Sequence, residues 1–360
     1  MPSDKTYMER ALDLASKARG RTSPNPMVGC VVVSDKEVVG EGYHEYAGGP
    51  HAEVNAFQDI APPQRKQLTV FVTLEPCAHH GKTPPCVEML LQEDIVRVVV
   101  AMEDPNPLTA GKSIARLREA GIHVDVGCCE VEARRLNEVF VKYITTGRPF
   151  VVAKCAMTLD GKIASHTGHS KWITSEAART RVHQIRAELD GILVGSRTVM
   201  LDDPSLTCRL ETGFVKDPTR IILDAGEYLD DQRRVFNLNS SAETWVAVGT
   251  DREYPAADGV INVPPGEGGV DIAVLMDELG ARGITSLLIE GGGTTHAAAF
   301  KAGVVDKVMF FVAPKILGGR DALTPVEGAG FDTVDEAIQL DGMTATAMGP
   351  DLLIEAYVRP

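Results

Sequence analysis

Two series of alternating strand-like and helix-like runs, separated by a short breaker segment, constrain the fold of this chain most. The breaker is the segment 145–149, Thr-Thr-Gly-Arg-Pro, because Gly and Pro interrupt regular elements. The first series predicts strands at 28–33, 38–44, 68–74, 96–102 and 123–127, and helices at 4–19, 51–59, 86–93, 111–120 and 130–143. Ser3 is the expected N-cap of the first helix. Strands joined by helices of this length predict a layered α/β domain.

The second series predicts another α/β domain after the breaker. Its strands are predicted at 150–157, 191–195, 220–224, 244–249, 260–263, 286–290, 307–313 and 352–358, and its helices at 175–189, 196–201, 271–282 and 294–302. A chain of 360 residues is long for one domain and comfortable for two. We therefore expect domains at 1–147 and 148–360.

Charge argues against nucleic-acid binding. The formal net charge is −14 from 36 basic and 50 acidic side chains. Residues 1–147 hold 16 basic against 20 acidic, a net of −4, which leaves 20 against 30 and a net of −10 for the remainder. Neither part is basic, so we expect no binding to a polyanion through bulk charge. A small phosphorylated substrate needs only a few local cations and stays possible.

The chain also lacks the sequence features of a membrane or secreted protein. No run approaches the roughly 20 apolar residues of a membrane span, and the first residues open an amphipathic stretch rather than an apolar signal core. The seven cysteines are odd in number, and Cys128 and Cys129 are adjacent, so a disulfide framework is not expected. These features favour a reducing cytoplasm.

The segment from His51 to Cys86 carries the chemistry of a hydrolytic metal site. It reads His-Ala-Glu from His51, Glu-Pro-Cys ending at Cys77, and Pro-Cys ending at Cys86. One imidazole and two thiolates suit a zinc ion whose fourth position is left for water, and Glu53 suits the general acid/base. The alternatives are a ligand role for one of the two loop histidines, 79 and 80, and three unrelated loop residues.

This pattern is similar to the cytidine-deaminase superfamily, whose signature is His-x-Glu followed by Pro-Cys-x-x-Cys. Here eight residues instead of two separate the cysteines. That longer form resembles the deaminase domain of the bifunctional riboflavin-biosynthesis deaminase-reductases. The resemblance implies that substrate is bound by Asn25, His44, Lys82, Asp104 and Asn106. Simple turns, a structural histidine and a solvated loop lysine are the alternatives.

The second part has no Gly-x-Gly-x-x-Gly dinucleotide fingerprint but has glycine turns after two predicted strands, at 195–198 and 290–295. With the segments 154–162 and 201–204, they resemble the reductase domain of the same family, which has a dihydrofolate-reductase-like fold and uses NADPH. The implied cofactor contacts are Ala156, Trp172, Thr198, Asp202, Gly292, Gly293, Thr294, Thr295 and His296. The implied substrate contacts are Lys154, Ser170, Thr174, Arg186, Leu206, Arg209 and Glu290. A half-buried core position for Trp172 and a helix-surface position for Arg186 are the alternatives.

The resemblance spans nearly the whole chain in the order deaminase, then reductase. It implies a cytidine-deaminase-like three-layer α/β/α domain followed by a dihydrofolate-reductase-like α/β domain, and a homo-oligomer, dimer or tetramer. The implied reactions are zinc-dependent deamination of 2,5-diamino-6-(5-phosphoribosylamino)pyrimidin-4(3H)-one and NADPH-dependent reduction of the ribosyl chain of the product. The alternatives are a nucleic-acid or nucleoside deaminase fused to an unrelated α/β domain, and a zinc-stabilised binding protein.

Overall fold

The computed structural model describes residues 3–78, 85–107, 109–224, 226, 229–249, 252–266 and 269–359. The chain divides into two compact units, residues 1–147 and 148–360. Each unit is built on a sheet of its own. Among the described residues, none of the helices has the length and apolar character needed to cross a membrane.

The first unit has a five-stranded sheet in the order β2-β1-β3-β4-β5. Its elements are α1 (Asp4–Ser16), β1 (Gly29–Ser34), β2 (Glu37–Tyr43), α2 (Ala52–Gln58), β3 (Leu68–Val72), α3 (Cys86–Leu90), β4 (Ile95–Val100), α4 (Lys112–Glu119), β5 (His123–Val126), α5 (Glu130–Leu136) and α6 (Glu138–Thr146). Strand β1 is antiparallel to β2 and β3, whereas β3, β4 and β5 are parallel. Ser3 caps α1 as predicted, by accepting from the main-chain N–H of Thr6.

Buried residues on both faces of this sheet give the unit its three layers. Successive side chains of a strand point to opposite faces, and in β1 Cys30 and Val32 pack with buried residues of α2, α3 and α4. The intervening Val31 and Val33 pack with residues of α1, α5 and α6. The strand is therefore apolar at consecutive positions, and the expected three-layer α/β/α arrangement is confirmed.

The predicted single helix at 130–143 is wrong, because the chain forms α5 and α6 with a break at Asn137. Asn137 is only 2% exposed, and its side chain pairs with the main chain of Met27. Its Oδ1 accepts from the Met27 N–H at 2.8 Å, and its Nδ2 donates to the Met27 carbonyl at 3.0 Å. These two bonds hold the loop that precedes β1 against the break between the helices.

The second unit has a nine-stranded sheet in the order β10-β9-β8-β7-β11-β6-β12-β14-β13. Its elements are β6 (Phe150–Thr158), α7 (Glu176–Glu188), β7 (Gly191–Gly195), α8 (Ser196–Asp202), β8 (Thr219–Asp224), β9 (Thr244–Val248), β10 (Gly259–Asn262), α9 (Ile272–Ala281), β11 (Ser286–Ile289), α10 (Gly293–Lys301), β12 (Lys307–Ala313), β13 (Leu340–Met348) and β14 (Asp351–Val358). The strands from β10 to β12 are parallel, and β14 and β13 are antiparallel additions.

The sequence pattern does not predict β13, the edge strand of this sheet. Residues 340–347 are all exposed, so the strand lacks the alternation of buried and exposed side chains on which strand prediction depends. Toward the centre, the parallel strands β6, β7 and β11 are adjacent and pair in register. The carboxyl ends of parallel strands are where such sheets place ligand-binding groups.

Candidate active sites

The first unit brings His51, Cys77 and Cys86 together in a metal-binding geometry. His51 is the N-cap of α2, Cys77 lies in the loop after β3, and Cys86 is the first residue of α3. The His51 Nδ1 atom lies 3.1 Å from Cys86 Sγ and 3.5 Å from Cys77 Sγ. A tetrahedral zinc ion with Zn–N of ~2.0 Å and Zn–S of ~2.3 Å holds such atoms about 3.5 Å apart. The donor set therefore fits zinc.

Hydrogen bonds prepare Cys77 as a thiolate. The bond from the Cys86 thiol, opposed by burial and helped by His51, lowers the pKa of Cys77 to about 4. The main-chain N–H of Cys86 also donates to Cys77 Sγ at 3.1 Å. Thiolate is the form of cysteine that binds zinc.

Glu53 lies in the first turn of α2, two residues after His51, and its side chain is buried. Burial raises the pKa of this carboxyl above its usual range. Glu53 lines a cavity of about 350 Å³ together with His51 and Cys77. A buried carboxyl beside a metal-binding set can take up a proton and return it within the same cavity.

Polar residues predicted to bind substrate line the same cavity, namely Asn25, His44, Asp104 and Asn106. His44 Nδ1 lies 3.0 Å from the Pro50 carbonyl, and His44 Nε2 lies 3.2 Å from Asn25 Nδ2. Burial lowers the pKa of His44, which favours the neutral ring. The neutral ring with its proton on Nδ1 donates to Pro50 and accepts from Asn25, so His44 orients the Asn25 amide.

Glu75 positions the loop that carries Asp104 and Asn106, a role that sequence reasoning missed. Helix α4 begins after Gly111, which has no side chain to cap it. The Glu75 carboxylate replaces the cap by accepting from the N–H groups of Gly111 at 2.9 Å and Ser113 at 3.0 Å, and it also accepts from the N–H of Asp104 at 3.2 Å. In the sequence, the feature that could have indicated this role is the place of Glu75 in Glu-Pro-Cys, two residues before Cys77.

Three apolar residues of α6 also line this cavity, namely Phe140, Tyr143 and Ile144. This contact was not predicted from the sequence, although the spacing of these residues places them on one face of the helix. Lys82 and the two loop histidines, 79 and 80, lie outside the described residues.

The second unit has a cavity of about 320 Å³ that gathers residues from both predicted sets. Its lining includes Lys154, Ala156, Ser170, Trp172, Thr174, Arg186, Asp202, Arg209, Glu290 and His296. Within the described chain, the lining does not include Thr198, Leu206 or residues 292–295. The cavity joins residues of β6 and α7 to the residues that follow β11.

A buried carboxylate with two cations forms the centre of this cavity. Glu290 follows β11 and accepts from Arg186 Nε at 2.7 Å, from Arg186 Nη2 at 2.9 Å and from Lys154 Nζ at 3.2 Å. Burial acts to raise the pKa of Glu290, but Arg186 and Lys154 outweigh it and the net shift is downward. The Arg186 side chain is 11% exposed, so its alternative as a helix-surface cation is wrong.

Trp172 is 68% exposed, which rules out the alternative of a half-buried core residue. The guanidinium carbon of Arg179 lies 4.5 Å from the centroid of its indole ring. A cation over an aromatic face is attractive. The Arg179 guanidinium therefore stabilises the position of the exposed indole, which forms an aromatic wall of the cavity.

The glycine turn before α10 has room for a side chain at Gly292 but not at Gly293. A Cβ atom at Gly293 would lie 2.5 Å from the Thr324 carbonyl oxygen, whereas a Cβ at Gly292 would meet nothing within 4 Å. Gly292 is also the N-cap of α10, without a capping side chain. The turn thus presents open main chain at a helix start, which fits the close approach of a dinucleotide phosphate.

Two residues predicted to contact ligands in this unit, His296 and Leu206, have buried side chains. His296 is buried, with Nδ1 2.9 Å from the Pro325 carbonyl and Nε2 3.2 Å from the Ile289 carbonyl. Leu206 is buried and has a φ of 55°, a left-handed conformation. A ligand contact at Leu206 would therefore use its main chain.

Both units of the chain match known protein families. Residues 149–354 match the RibD C-terminal domain, and residues 1–102 match the cytidine and deoxycytidylate deaminase zinc-binding region. The riboflavin biosynthesis protein RibD of Aquifex aeolicus is 44% identical over 359 residues, covering 98% of this chain and 97% of that protein. The chain belongs to the RibD family.

Solved RibD structures share the fold along almost the entire chain. The Acinetobacter baumannii RibD structure (form 1) is 36% identical, with a TM-score of 0.88 and 99% of both chains covered. A Thermotoga maritima structure, described as a diaminohydroxyphosphoribosylaminopyrimidine deaminase/5-amino-6-(5-phosphoribosylamino)uracil reductase, is 36% identical, with a TM-score of 0.86 and 99% of both chains covered.

The RibD matches confirm the expected fold, a cytidine-deaminase-like unit followed by a RibD reductase unit. A zinc-binding deaminase region and a reductase domain in one chain imply zinc and a nicotinamide cofactor. The alternative of an unrelated second domain is wrong, because that part of the chain matches the RibD C-terminal domain.

Proposed function

We propose that this chain catalyses two consecutive steps of riboflavin biosynthesis. The first is deamination of 2,5-diamino-6-(5-phosphoribosylamino)pyrimidin-4(3H)-one, and the second is reduction of the ribosyl chain of 5-amino-6-(5-phosphoribosylamino)uracil to ribityl. The observation that carries the proposal is the pair of cavities with different chemistry, a thiol-imidazole set beside a buried Glu53 and a cationic pocket around Glu290, in a RibD chain.

In the deaminase site, His51, Cys77 and Cys86 are the proposed zinc ligands. Zinc bound there would lower the pKa of a water molecule and make it a nucleophile at neutral pH. The oxygen of this water would bond to C2, and Glu53 would take one of the water protons and deliver it to the departing amine. The C2–N bond would then break and ammonia would leave, while the remaining hydroxyl proton passes to a ring nitrogen and leaves a carbonyl at C2. The raised pKa of Glu53 supports its holding that proton between the two transfers.

Substrate positioning in this site is assigned to side chains that line the cavity. Asn25 and Asn106 are placed to hydrogen-bond the pyrimidine and its ribose, and His44 keeps Asn25 oriented. Asp104 accepts from the Asn106 N–H at 2.9 Å and from Thr109 Oγ1 at 2.6 Å, which supports a role in shaping this loop. Lys82 stays a sequence-based proposal for the phosphate.

In the reductase site, NADPH is the proposed cofactor and would supply hydride to C1 of the ribose, whose ring C1–O bond opens as the released oxygen takes up a proton. Its proposed contacts are Ala156, Trp172, Thr198, Asp202 and the turn 292–296. The exposed indole and the open position at Gly292 support cofactor binding, whereas the choice of NADPH over NADH rests on the family resemblance.

The phosphorylated substrate is proposed to lie against Lys154, Ser170, Thr174 and Glu290, with its phosphate on Arg209. Arg186 is held by Glu290 at both Nε and Nη2. The guanidinium of Arg209 has a long bond, from Nη1 to Thr207 Oγ1 at 3.4 Å. Reorienting the Arg209 side chain toward a phosphate therefore breaks weaker hydrogen bonds than reorienting Arg186 would.

We further propose a cytoplasmic homo-oligomer. Large apolar side chains on and before the edge strand β13 are exposed, with Met343 at 72% and Val334 at 86%. Exposed apolar residues of this kind typify surfaces that associate. Light scattering of the purified chain tests this, since a monomeric mass at micromolar concentration would exclude it.

The central test is Glu53→Gln in the full chain. We expect zinc content to match the wild type while ammonia release falls by about 10³-fold, because the shuttle for the proton is lost. Reduction of the already deaminated substrate should proceed at the wild-type rate. Wild-type ammonia release by the variant would refute the role of Glu53.

A further inference from the structure

His183 lines the second cavity, although the proposed reaction gives it no role. It lies on α7, three residues before Arg186, so both side chains lie on one face of the helix. Facing them is the segment 207–209, which carries the cation proposed to bind phosphate.

Three hydrogen bonds fasten the segment 207–209 to this face of α7. Arg186 Nη1 donates to the Thr207 carbonyl at 3.0 Å, and the Cys208 thiol donates to the His183 carbonyl at 3.3 Å. The third bond runs from the main-chain N–H of Arg209 to His183 Nδ1 at 3.3 Å. This last bond places an imidazole acceptor directly under the residue whose side chain enters the cavity.

The acceptor role of His183 requires Nδ1 to be unprotonated. Burial and the neighbouring Arg186 and Arg209 lower the pKa of His183 to about 4, against the opposing effects of Glu290 and of a hydrogen bond to the main chain of Thr207. The ring is therefore neutral at neutral pH, with its lone pair available to Arg209. A protonated ring would lose this bond and would place a further cation beside two arginines.

We propose that His183 is a positioning residue for Arg209, and that its Nδ1 fixes the main chain from which the Arg209 guanidinium reaches the substrate phosphate. The inference rests on the proposed role of Arg209. It follows from the contrast between the two arginines of the cavity. Arg186 is fixed through its own side chain by Glu290, whereas Arg209 has a long side-chain bond and depends on its main chain for placement.

The test is a reductase assay on the full-length, zinc-loaded protein, with NADPH and 5-amino-6-(5-phosphoribosylamino)uracil. His183→Leu should raise KM for this substrate about 5-fold, the factor expected for one lost hydrogen bond. We expect KM for NADPH and kcat to change less than about 2-fold. His183→Asn, whose Oδ1 replaces Nδ1 as acceptor, should restore most of the affinity.

Two controls separate positioning from general damage. Gln184→Leu introduces the same leucine at an exposed neighbour on α7 and should leave KM unchanged. Deamination by each variant, measured on the same samples, reports whether the protein preparation is intact. Ribose 5-phosphate as a competitive inhibitor should lose affinity in His183→Leu, whereas ribose should not.

Double variants distinguish the possible outcomes. In an Arg209→Ala background, His183→Leu should add no further increase in KM, because the residue acts through Arg209. A full additive effect, or an unchanged KM in His183→Leu when Arg209→Ala raises it, overturns the inference alone. An unchanged KM in Arg209→Ala overturns the phosphate assignment and this inference together.

Discussion

The bond pair between Asn137 and Met27 allows a quantitative prediction for Asn137→Ala. The substitution removes two hydrogen bonds, of 2.8 and 3.0 Å, to the N–H and the carbonyl of one loop residue. Each bond contributes about 1 kcal/mol, and main-chain groups left partly buried cost more. We expect the loop to lose about 2 kcal/mol of stability, equivalent to a ~30-fold larger open population.

This loop carries Asn25, so its opening should weaken substrate binding in the deaminase site. We expect KM for deamination to rise by at most about 30-fold, because only the closed loop is competent to bind, while kcat changes less. Hydrogen exchange of the Met27 amide should accelerate by about 30-fold. Asn137→Asp should protect this amide better than alanine does, since a carboxylate still accepts its N–H, but should raise KM as well.

Asn237→Ala is the matched control for this prediction. Asn237 also makes two side-chain bonds to main chain, donating to the carbonyls of Asp231 at 2.8 Å and Arg233 at 3.1 Å, but it belongs to the second unit. It should leave deamination unchanged. Wild-type KM and Met27 exchange in Asn137→Ala would refute the argument that this side chain holds the loop.

Three further predictions concern the metal, the buried carboxylate and the glycine turn. Chelation of zinc should abolish ammonia release and spare NADPH oxidation with the deaminated substrate; loss of both would contradict two independent sites. Glu290→Gln should destabilise the second unit by about 3 kcal/mol in denaturant, because Arg186 and Lys154 lose a buried partner. Since the pKa of Glu290 is lowered from 4.5, its contribution is full above that pH and declines as pH falls below it, so the variant should show a flatter acid-side stability curve than the wild type. Gly292→Ala should fold normally and raise KM for NADPH, whereas Gly293→Ala should lower the melting temperature through its clash with Thr324; equal thermal stability of the two variants would refute this distinction.

The sequence predicts most elements of the fold because their side chains repeat with a period that burial imposes. Strands β7 and β12 begin and end at the predicted residues, and the other predicted strands shift by a few residues at most. The failures lie where burial does not set the pattern. Strand β13 is exposed along its length, and the break at Asn137 depends on a partner 110 residues away.

The same distinction applies to the candidate sites. His51, Cys77 and Cys86 are recognisable because metal chemistry restricts residue type and spacing at once. Glu75 and His183 act through bonds to the main chain, at Ser113 and Arg209, and many residue types can do this at many positions. The local sequence around Glu75 or His183 therefore does not indicate which main-chain group is its partner, and these contacts become visible only in the folded structure.

Local charge explains how an acidic protein can handle two phosphorylated substrates. Residues 148–360 carry a net charge of −10. The charged lining of their cavity nevertheless has more basic than acidic residues, the basic ones being Lys154, Lys171, Arg179, Arg186 and Arg209 and the acidic ones Asp202 and Glu290. The excess is positive where an anionic cofactor and a phosphate must bind together. In the described part of the first cavity, the charged lining consists of the Cys77 thiolate and the carboxyls of Glu53, Glu75 and Asp104.

That contrast assigns different tasks to the two sites. The Cys77 thiolate and the carboxyls of the first cavity favour a divalent cation, and they oppose a phosphate unless a cation outside this lining receives it. Lys82 is the sequence candidate for that cation, so its removal should raise KM for the phosphorylated substrate of deamination and spare binding of an unphosphorylated analogue. In the second cavity, by contrast, the cations proposed to hold the phosphate belong to the lining itself, and a neutral His183 can place one of them without adding to their mutual repulsion.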